Sequence, residues 1–147
     1  MKINKVAIVS KFGSKKSENA AKKTAEKLLK QKFKVYTVSP ISVKGAQKVN
    51  SLEDLRKIKL DLVITLGGDG TTLRTFRNLE NETPLLAINV GGNRGILSEI
   101  KLDEINNAIQ HIRKNEIWLD KRTRVVASCN GEQFQPCLLY TSPSPRD

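Results

Sequence analysis

The sequence predicts an α/β fold built on a parallel, Rossmann-like sheet. Apolar runs at residues 6–9, 33–38 and 62–66 alternate with segments that have helical spacing or turn residues. The third run is apolar almost throughout, which is typical of a strand buried on both faces of a parallel sheet. Strands that alternate with helices favour a parallel arrangement, in which ligands bind at the carboxyl ends of the strands.

The amino-terminal elements follow from periodicity and capping residues. Residues 6–9 are the first strand, and Ser17 is expected to cap a helix before the strand at 33–38. Residues 39–50 contain a proline and a glycine and are predicted as a loop, after which Ser51, with Asp54 three positions on, begins a short helix. The apolar stripe of the first helix consists of Ala21, Ala25, Leu28 and Leu29.

The remaining elements complete an alternating pattern of strands and helices up to Asn89. After the strand at 62–66, glycines lead into a helix at 71–79 and then into a strand that ends at Asn89. Asp103 is expected to cap a further helix, followed by an apolar segment at 117–119. From residue 123 the pattern changes, and Asn130-Gly131 predicts a hairpin with a two-residue turn. The apolar face of the last helix consists of Ile105, Ala108, Ile109 and Ile112.

Composition restricts the protein class. A chain of 147 residues is the size of one domain, and its net charge is +11. The first 34 residues hold eleven lysines and two glutamates and carry most of that charge. We interpret them as a solvated lysine-rich face and expect no nucleic-acid partner, because no aromatic residues are interleaved. Two cysteines without metal-ligand spacing, and no leader or spanning segment, favour the cytoplasm and no membrane contact.

Three glycines directly after the 62–66 strand predict a phosphate site. Gly67, Gly68 and Gly70 can adopt positive φ and leave room for a ligand, so that backbone N–H groups converge on an anion at the helix start. Asp69 lies among them, where a carboxylate repels phosphate. It is therefore expected to accept a proton, orient a hydroxyl or hold a metal, although an Asx turn would also place an aspartate there. Arg74 is expected to contact an anion rather than form a surface ion pair.

These residues resemble a known kinase family. The run 67–71, G-G-D-G-T, is the signature of a superfamily that joins NAD kinases and lipid kinases, and the run ending in Arg74, G-T-T-L-R, is similar to the NAD kinase form G-T-L-L-R. Residues 85–99 resemble the family's second loop, which begins at Asn-x-Gly. Here Gly95 comes one position later than in the family pattern, and Ile96 replaces the family's phenylalanine.

The resemblance to NAD kinases implies an activity and a set of site residues. It implies ATP-dependent phosphorylation of the 2′-hydroxyl of NAD's adenosine ribose to give NADP, with Mg²⁺ accompanying ATP, no protein-bound metal site, and a homo-oligomeric parent. Asp69 would be the catalytic base. Asn89 could contact the ligand or merely end its strand. The residues that the resemblance assigns to nucleotide binding are Gly67, Gly68, Gly70, Thr71, Arg74, Asn89, Gly91, Gly92 and Gly95.

The resemblance also implies a domain division. Residues 1–122 would be the amino-terminal α/β domain of a two-domain kinase, and 123–136 the start of a second, β-rich domain that is otherwise missing. Residues 137–147 resemble the in-frame translation of a sequencing-library adaptor, and we expect them to be a non-native tail. The isolated chain is therefore expected to be inactive. Use of polyphosphate instead of ATP, and of NADH instead of NAD, stay open.

Two other functions are compatible with parts of the sequence. A diacylglycerol or sphingosine-type lipid kinase would share the G-G-D-G-T run, but it would continue with an Asn-Glu pair that this chain lacks. A non-catalytic nucleotide-binding domain would share the loop without turnover.

Overall fold

The computed structural model describes residues 2–79, 83–90 and 100–114, and the backbone at 124–125, 128–129, 132–133 and 137–138. Within these residues six strands form one sheet, flanked by four α-helices and a short 3₁₀ helix. The strands are β1 Lys5–Ser10, β2 Lys34–Val38, β3 Gln47–Val49, β4 Leu62–Gly67, β5 Leu85–Asn89 and β6 Ile100–Lys101. The helices are α1 Lys15–Lys30, α2 Leu52–Leu55, α3 Asp69–Arg77, the 3₁₀ helix Leu102–Glu104 and α4 Ile105–Arg113.

The strand order makes this a doubly wound sheet. The order is β3-β2-β1-β4-β5-β6, and every neighbouring pair is parallel. The chain first builds outward from β1 to β3, then returns to the other side of β1 and builds outward from β4 to β6. The direction of winding therefore reverses between β1 and β4, and in such sheets the crevice outside the carboxyl ends of those two strands is the usual ligand site. The α/β prediction is confirmed.

Both faces of the sheet are covered because its central strands are apolar at successive positions. Val6 and Ile8 of β1 face one helical layer, and Ala7 and Val9 face the other, as the two-residue period of a strand requires. α1 and α4 bury Leu28 and Ile109 against the first face, whereas Leu55 of α2 packs on the second. The site-bearing end of the sheet is thus fixed by a core on each side.

The first helix begins three residues earlier than Ser17 predicts. Ser14 is its N-cap, and Ser14 Oγ accepts a hydrogen bond from Ser17 N at 3.2 Å. Ser17 is buried within the first turn, so its assignment as the cap is wrong. Both serines are good capping residues, and the apolar stripe does not decide between them. The lysines of α1 lie exposed on its outer face, except for the half-buried Lys27.

The segment 39–50 is not entirely loop. Gln47–Val49 forms the edge strand β3, paired with β2 from Tyr36↔Gln47 to Val38↔Val49. Its first two residues are polar and exposed, so the strand has no apolar pattern that would predict it from the sequence. Pairing with β2 and the packing of the half-buried Val49 against the core stabilise it. Ser51 precedes α2 as predicted, although its side chain makes no capping hydrogen bond.

Two further helix starts differ from the prediction. α3 begins at Asp69 rather than at residue 71, with Gly68 as its N-cap. Asp103 does not cap α4, because residues 102–104 form a 3₁₀ turn that precedes the helix. There the Lys101 N–H donates to Glu104 Oε1 at 2.9 Å, which satisfies one of the free N–H groups at the start of the turn. The predicted apolar face of α4 is confirmed at Ile105, Ile109 and Ile112, which are buried.

Beyond residue 114 the structure describes two short antiparallel ladders. β8 Ser128–Cys129 pairs with β9 Glu132–Gln133, and the register Cys129↔Glu132 confirms the predicted hairpin. β7 Arg124–Val125 pairs with β10 Cys137–Leu138, so the ladder includes two positions of the segment 137–147. The predicted apolar segment at 117–119 lies outside the described residues. None of the helices in the described part of the chain has the length and apolar character of a membrane span.

Candidate functional site

Three strand ends meet at the reversal point of the sheet. In the β1–β4 register Ser10 lies opposite Leu66, and in the β4–β5 register Gly67 lies opposite Asn89. Two backbone hydrogen bonds continue these ladders past the strand ends. Lys11 N–H donates to Leu66 O at 2.8 Å, and Val90 N–H donates to Gly67 O at 3.1 Å. The turns that follow β1, β4 and β5 therefore begin side by side.

Gly67 occupies a place in which no side chain fits. A Cβ atom on this residue would lie 2.7 Å from Thr71 Oγ1, 3.0 Å from Lys11 Cβ and 3.1 Å from Thr71 Cβ. Nonbonded carbon atoms are comfortable at about 3.5–4.0 Å, so even a methyl group would clash. The glycine is required because the first turn of α3 and the turn after β1 both close over the end of β4.

Gly68 and Gly70 are open to solvent on the side where a ligand would approach. A Cβ atom at either position would meet nothing within 4 Å. Neither residue, nor Gly67, adopts positive φ; Gly68 has φ −118 and ψ −166, which is extended backbone. The prediction that these glycines supply left-handed conformations is therefore wrong. The absence of a side chain lets Gly67 pack closely inside the fold, and it leaves open space at the surface above Gly68 and Gly70.

Asp69 is the first residue of α3. It follows the end of β4 by two positions and is half-buried. The positive end of the helix dipole stabilises a carboxylate at this position, and the first N–H groups of α3 lack partners within the helix. A negatively charged group and a set of anion-binding donors thus share one helix start.

Buried threonines hold this helix start in place. Thr72 Oγ1 donates to Gly68 O at 3.3 Å and lies 3.3 Å from Thr65 Oγ1 of β4. One turn later, Thr75 Oγ1 donates to Thr71 O at 2.7 Å. The contact between Thr65 and Thr72 joins the start of α3 to β4, and the other two hydrogen bonds brace the first turns of the helix that carries Asp69.

Arg74 lies on the open side of α3. It is exposed, and it is four residues after the exposed Gly70, so the two share one face of the helix. Arg74 lines a shallow depression at the carboxyl ends of β1 and β2, together with Phe12, Pro40 and Leu52. The structure thus places its guanidinium group on the same edge of the sheet as the glycines, as the sequence predicts for an anion contact.

Of the other predicted site residues, some lie within the part of the chain that the structure describes and some lie outside it. Asn89 ends β5 opposite Gly67, half-buried, and so belongs to the same edge. Thr71 is buried and packs against Gly67, and its predicted role in nucleotide binding stays a prediction. Gly91, Gly92 and Gly95 lie outside the described residues.

Lys11 also belongs to this edge, although no feature of the sequence distinguishes it from the neighbouring lysines. It is exposed, and its Cβ atom is among the three atoms nearest to a Cβ built on Gly67. It is one of eleven lysines in residues 1–34 and is not part of a recognisable sequence motif. Only the pairing of β1 with β4 distinguishes it from the others.

A protein-bound metal centre is not present among the described residues, where no three His, Cys, Asp or Glu side chains lie together as ligands. Asp69 is the one acidic side chain in the turns at 10–14 and 67–70. A single carboxylate fits Mg²⁺ that arrives with a nucleotide, because this ion is commonly held by one or two carboxylates, substrate phosphates and water.

Comparison with protein families gives one match that spans most of the chain. Residues 6–117 match the model of the ATP-NAD kinase N-terminal domain. This range contains the six-stranded sheet except for Lys5, together with the glycine loop and Asp69. The match thus covers the fold and the candidate site together.

Individual relatives agree with that match. The NAD kinase of Thermoplasma volcanium is 29% identical over 133 residues, which are 90% of this chain and 46% of that protein. The NAD kinase of Methanothermobacter thermautotrophicus is 29% identical over 129 residues, covering 87% of this chain and 45% of the relative. The chain therefore spans less than half the length of the curated relatives that it matches.

Two solved structures share the fold. Yeast NADH kinase complexed with NADH superposes with a TM-score of 0.74 at 18% identity, over 94% of this chain and 47% of that one. An NAD kinase from Archaeoglobus fulgidus in complex with ATP gives a TM-score of 0.53 at 22% identity, over 84% of this chain and 41% of that one.

Proposed function

This chain belongs to the NAD kinase family, and from that premise we propose that its parent protein phosphorylates NAD. The reaction transfers the γ-phosphoryl group of ATP to the 2′-hydroxyl of NAD's adenosine ribose and gives NADP and ADP. The ligands of the two similar structures, NADH in one and ATP in the other, support a nucleotide site of this kind. We place the protein in the cytoplasm.

The position of Asp69 is the observation that supports this proposal most strongly. The start of α3 stabilises the carboxylate while the site is empty, but a phosphate group bound there would be repelled by it, and a role in the reaction accounts for its presence. Here it lies at the reversal point of the sheet, on a helix that buried threonines fix to β4. Such a rigid carboxylate can accept a hydroxyl proton without moving, and general bases of this type contribute roughly 10²–10⁴ to a rate.

The transfer can be written with all groups balanced. The ribose 2′-oxygen forms a bond to the γ-phosphorus while the bond from that phosphorus to the β,γ-bridging oxygen breaks, and ADP leaves with the bonding electron pair. Asp69 accepts the proton of the 2′-hydroxyl. The protein contributes little covalent chemistry to this transfer. Positioning of the reactants and electrostatic stabilisation of the transition state therefore provide most of the acceleration.

Other residues of the same edge would bind the substrates. The N–H groups in the first turn of α3 and the open space above Gly68 and Gly70 suit a phosphate group. Arg74 can form two parallel hydrogen bonds with phosphate oxygens. Mg²⁺, when bound with ATP, supplies neutralisation of the phosphate charge. Asn89 would contact the nucleotide from the adjacent strand end.

The 147-residue chain alone should not form NADP. The candidate site is an open edge of one sheet, with a shallow depression beside it, and nothing described encloses a nucleotide there. The relatives are more than twice as long as the matched part. Orientation of the ribose against Asp69 would then depend on residues that this chain lacks, and loss of orientation alone can cost several orders of magnitude in rate.

The test is a transfer assay on two proteins. The full-length parent and the 147-residue chain are each incubated with γ-labelled ATP, Mg²⁺ and NAD, and labelled NADP is measured. Label in NADP with the parent alone supports the proposal. NADP from the short chain would contradict the inactivity claim, and a parent that labels diacylglycerol instead of NAD would show a lipid kinase. Saturable binding by the parent without turnover would instead indicate a non-catalytic nucleotide-binding protein. Replacing ATP with polyphosphate, or NAD with NADH, defines the substrates.

A further inference from the structure

We propose that Lys11 binds the phosphate groups of the nucleotide held by the glycine loop, as a second cationic contact from the opposite side of the reversal point. The inference deepens the proposed function and rests on it. It concerns the turn between β1 and α1, to which neither the motif nor the family match assigns a role.

The backbone of Lys11 is fixed on both sides. Its N–H donates to Leu66 O at 2.8 Å, and its carbonyl oxygen accepts from Ser14 N at 3.5 Å. Between them Gly13 has φ +78, the left-handed conformation that a tight turn of this kind needs at its third position. The Lys11 side chain therefore starts from a defined point at the end of β1.

That starting point lies against the glycine loop. Lys11 Cβ is 3.0 Å from the position that a Cβ on Gly67 would occupy, which is closer than an ordinary van der Waals contact. A side chain added at Gly67 would therefore press on Lys11, whereas Lys11→Gln and Lys11→Arg keep the Cβ atom and leave this contact unchanged. From this point the flexible four-carbon stem of a lysine can extend past Gly67 toward the space above Gly68 and Gly70, where nothing lies within 4 Å of a built Cβ.

The charge balance of the edge supports a cation at this place. Asp69 repels the phosphate groups that the helix start attracts, and Lys11 stands at the neighbouring strand end, next to Gly67. Arg74 stands on the exposed face of α3. A lysine acts on phosphate as a point charge with three donors, so it can follow the phosphoryl groups without the fixed geometry that an arginine requires.

The sheet topology supports the same assignment. In doubly wound sheets the two loops on either side of the reversal point form the walls of the ligand crevice. Here those loops are 11–14 after β1 and 67–69 after β4. Lys15 and Lys16 lie in the first turn of α1, and the other lysines of residues 1–34 lie farther along α1 or toward the opposite end of the sheet. Lys11 is the lysine that lies against Gly67.

The test measures binding rather than turnover, on the 147-residue chain itself. Backbone amide NMR shifts are followed during titration with ATP, and separately with inorganic tripolyphosphate, at physiological ionic strength. The variants are Lys11→Gln, Lys11→Arg and, as a matched control, Lys22→Gln. Lys22 is exposed in the middle of α1, about 10 Å beyond the first residue of that helix, and its loss removes the same charge.

We expect Lys11→Gln to weaken the binding of both probes by about tenfold, the lower end for loss of a charge-assisted hydrogen bond. Lys22→Gln should change it less than about twofold, because screening at this ionic strength acts within about 8 Å. Lys11→Arg should retain most of the affinity. The amide shifts should include residues 67–70 in every variant that binds.

The outcomes separate the two levels of the proposal. If the unmodified chain binds with shifts at residues 67–70 and Lys11→Gln weakens binding no more than Lys22→Gln, the role of Lys11 is refuted while the phosphate loop stands. If neither probe shifts residues 67–70 of the unmodified chain, the phosphate site itself is refuted, and the Lys11 contact with it. A loss seen with ATP alone would mean that Lys11 contacts the nucleoside and would also refute a phosphate contact.

Discussion

Replacing Gly67 with alanine tests the packing at the centre of the site. The added methyl would lie 2.7 Å from Thr71 Oγ1 and 3.0 Å from Lys11 Cβ, so that α3 or the turn after β1 must move. Overpacking of this kind costs roughly 1–3 kcal/mol, and the lower chain entropy of the unfolded alanine variant offsets about 0.4–1 kcal/mol. We expect a net loss of about 1–2 kcal/mol in the free energy of unfolding.

The matched controls are Gly68→Ala and Gly70→Ala. A methyl group at either position meets nothing within 4 Å, and neither residue has positive φ. Gly70→Ala should therefore be as stable as the unmodified protein or up to about 1 kcal/mol more stable. Gly68→Ala should change the stability by less than about 0.5 kcal/mol, because Gly68 is the N-cap of α3 and the loss of a favourable capping residue offsets the same gain. Urea unfolding is followed by circular dichroism for the unmodified protein and the three glycine variants. Their unfolding midpoints are compared with one common dependence of the unfolding free energy on urea concentration.

The comparison between glycines decides the interpretation. If Gly67→Ala unfolds at the same urea concentration as Gly68→Ala, the close approach of Lys11 and Thr71 to this strand end does not exist in solution. An equal loss in all three variants would mean that the loop needs glycine for its backbone conformation, contrary to the dihedral angles reported above.

Three further predictions concern helix capping, Arg74 and the residues beyond 122. Ser14→Ala should lower the unfolding free energy by about 1 kcal/mol, because it removes the hydrogen bond that Ser17 N–H donates to Ser14 Oγ. Ser51→Ala should lower it by less than about 0.5 kcal/mol, because Ser51 makes no capping hydrogen bond. Equal losses in urea unfolding would contradict this prediction. In the parent enzyme Arg74→Lys should raise KM for the nucleotide clearly and lower kcat less, with Arg77→Lys as control; an unchanged KM with lower kcat would place Arg74 in the transition state instead. Residues 1–122 should fold and remain monomeric by size-exclusion chromatography, because they hold the whole six-stranded sheet. Residues 1–147 should self-associate through their short two-stranded ladders, which leave unpaired edges. A monomeric 1–147 beside a self-associating 1–122 would refute this prediction.

The central strands and the position of the glycine loop can be predicted from the sequence for a physical reason. Residues 62–66 are buried on both faces, and all of them except Thr65 are apolar, so their composition is informative. β3 was missed because an edge strand such as Gln47–Val49 is stabilised by pairing with β2 and needs no apolar pattern. The starts of α1 and α4 were displaced because several neighbouring residues can cap a helix, and the choice depends on tertiary packing.

The site was predictable only as far as its local motif extends. Asp69 and Arg74 follow from one continuous run, and the structure places both at the edge expected. Lys11 lies far from that run in sequence, and strand pairing alone brings it to Gly67. The role of the glycines was also misjudged, because a glycine that makes room and a glycine that adopts positive φ have the same sequence signature.

The most direct test of the central claim is the turnover of Asp69→Asn in the full-length parent. Asparagine keeps the shape of the side chain but cannot accept the proton of the ribose 2′-hydroxyl. We expect kcat for NADP formation to fall by about 10²–10⁴, with the affinity for ATP and NAD largely unchanged when each is measured by calorimetry. A variant that retains kcat near that of the parent would remove Asp69 from catalysis and contradict the mechanism proposed for this edge of the sheet.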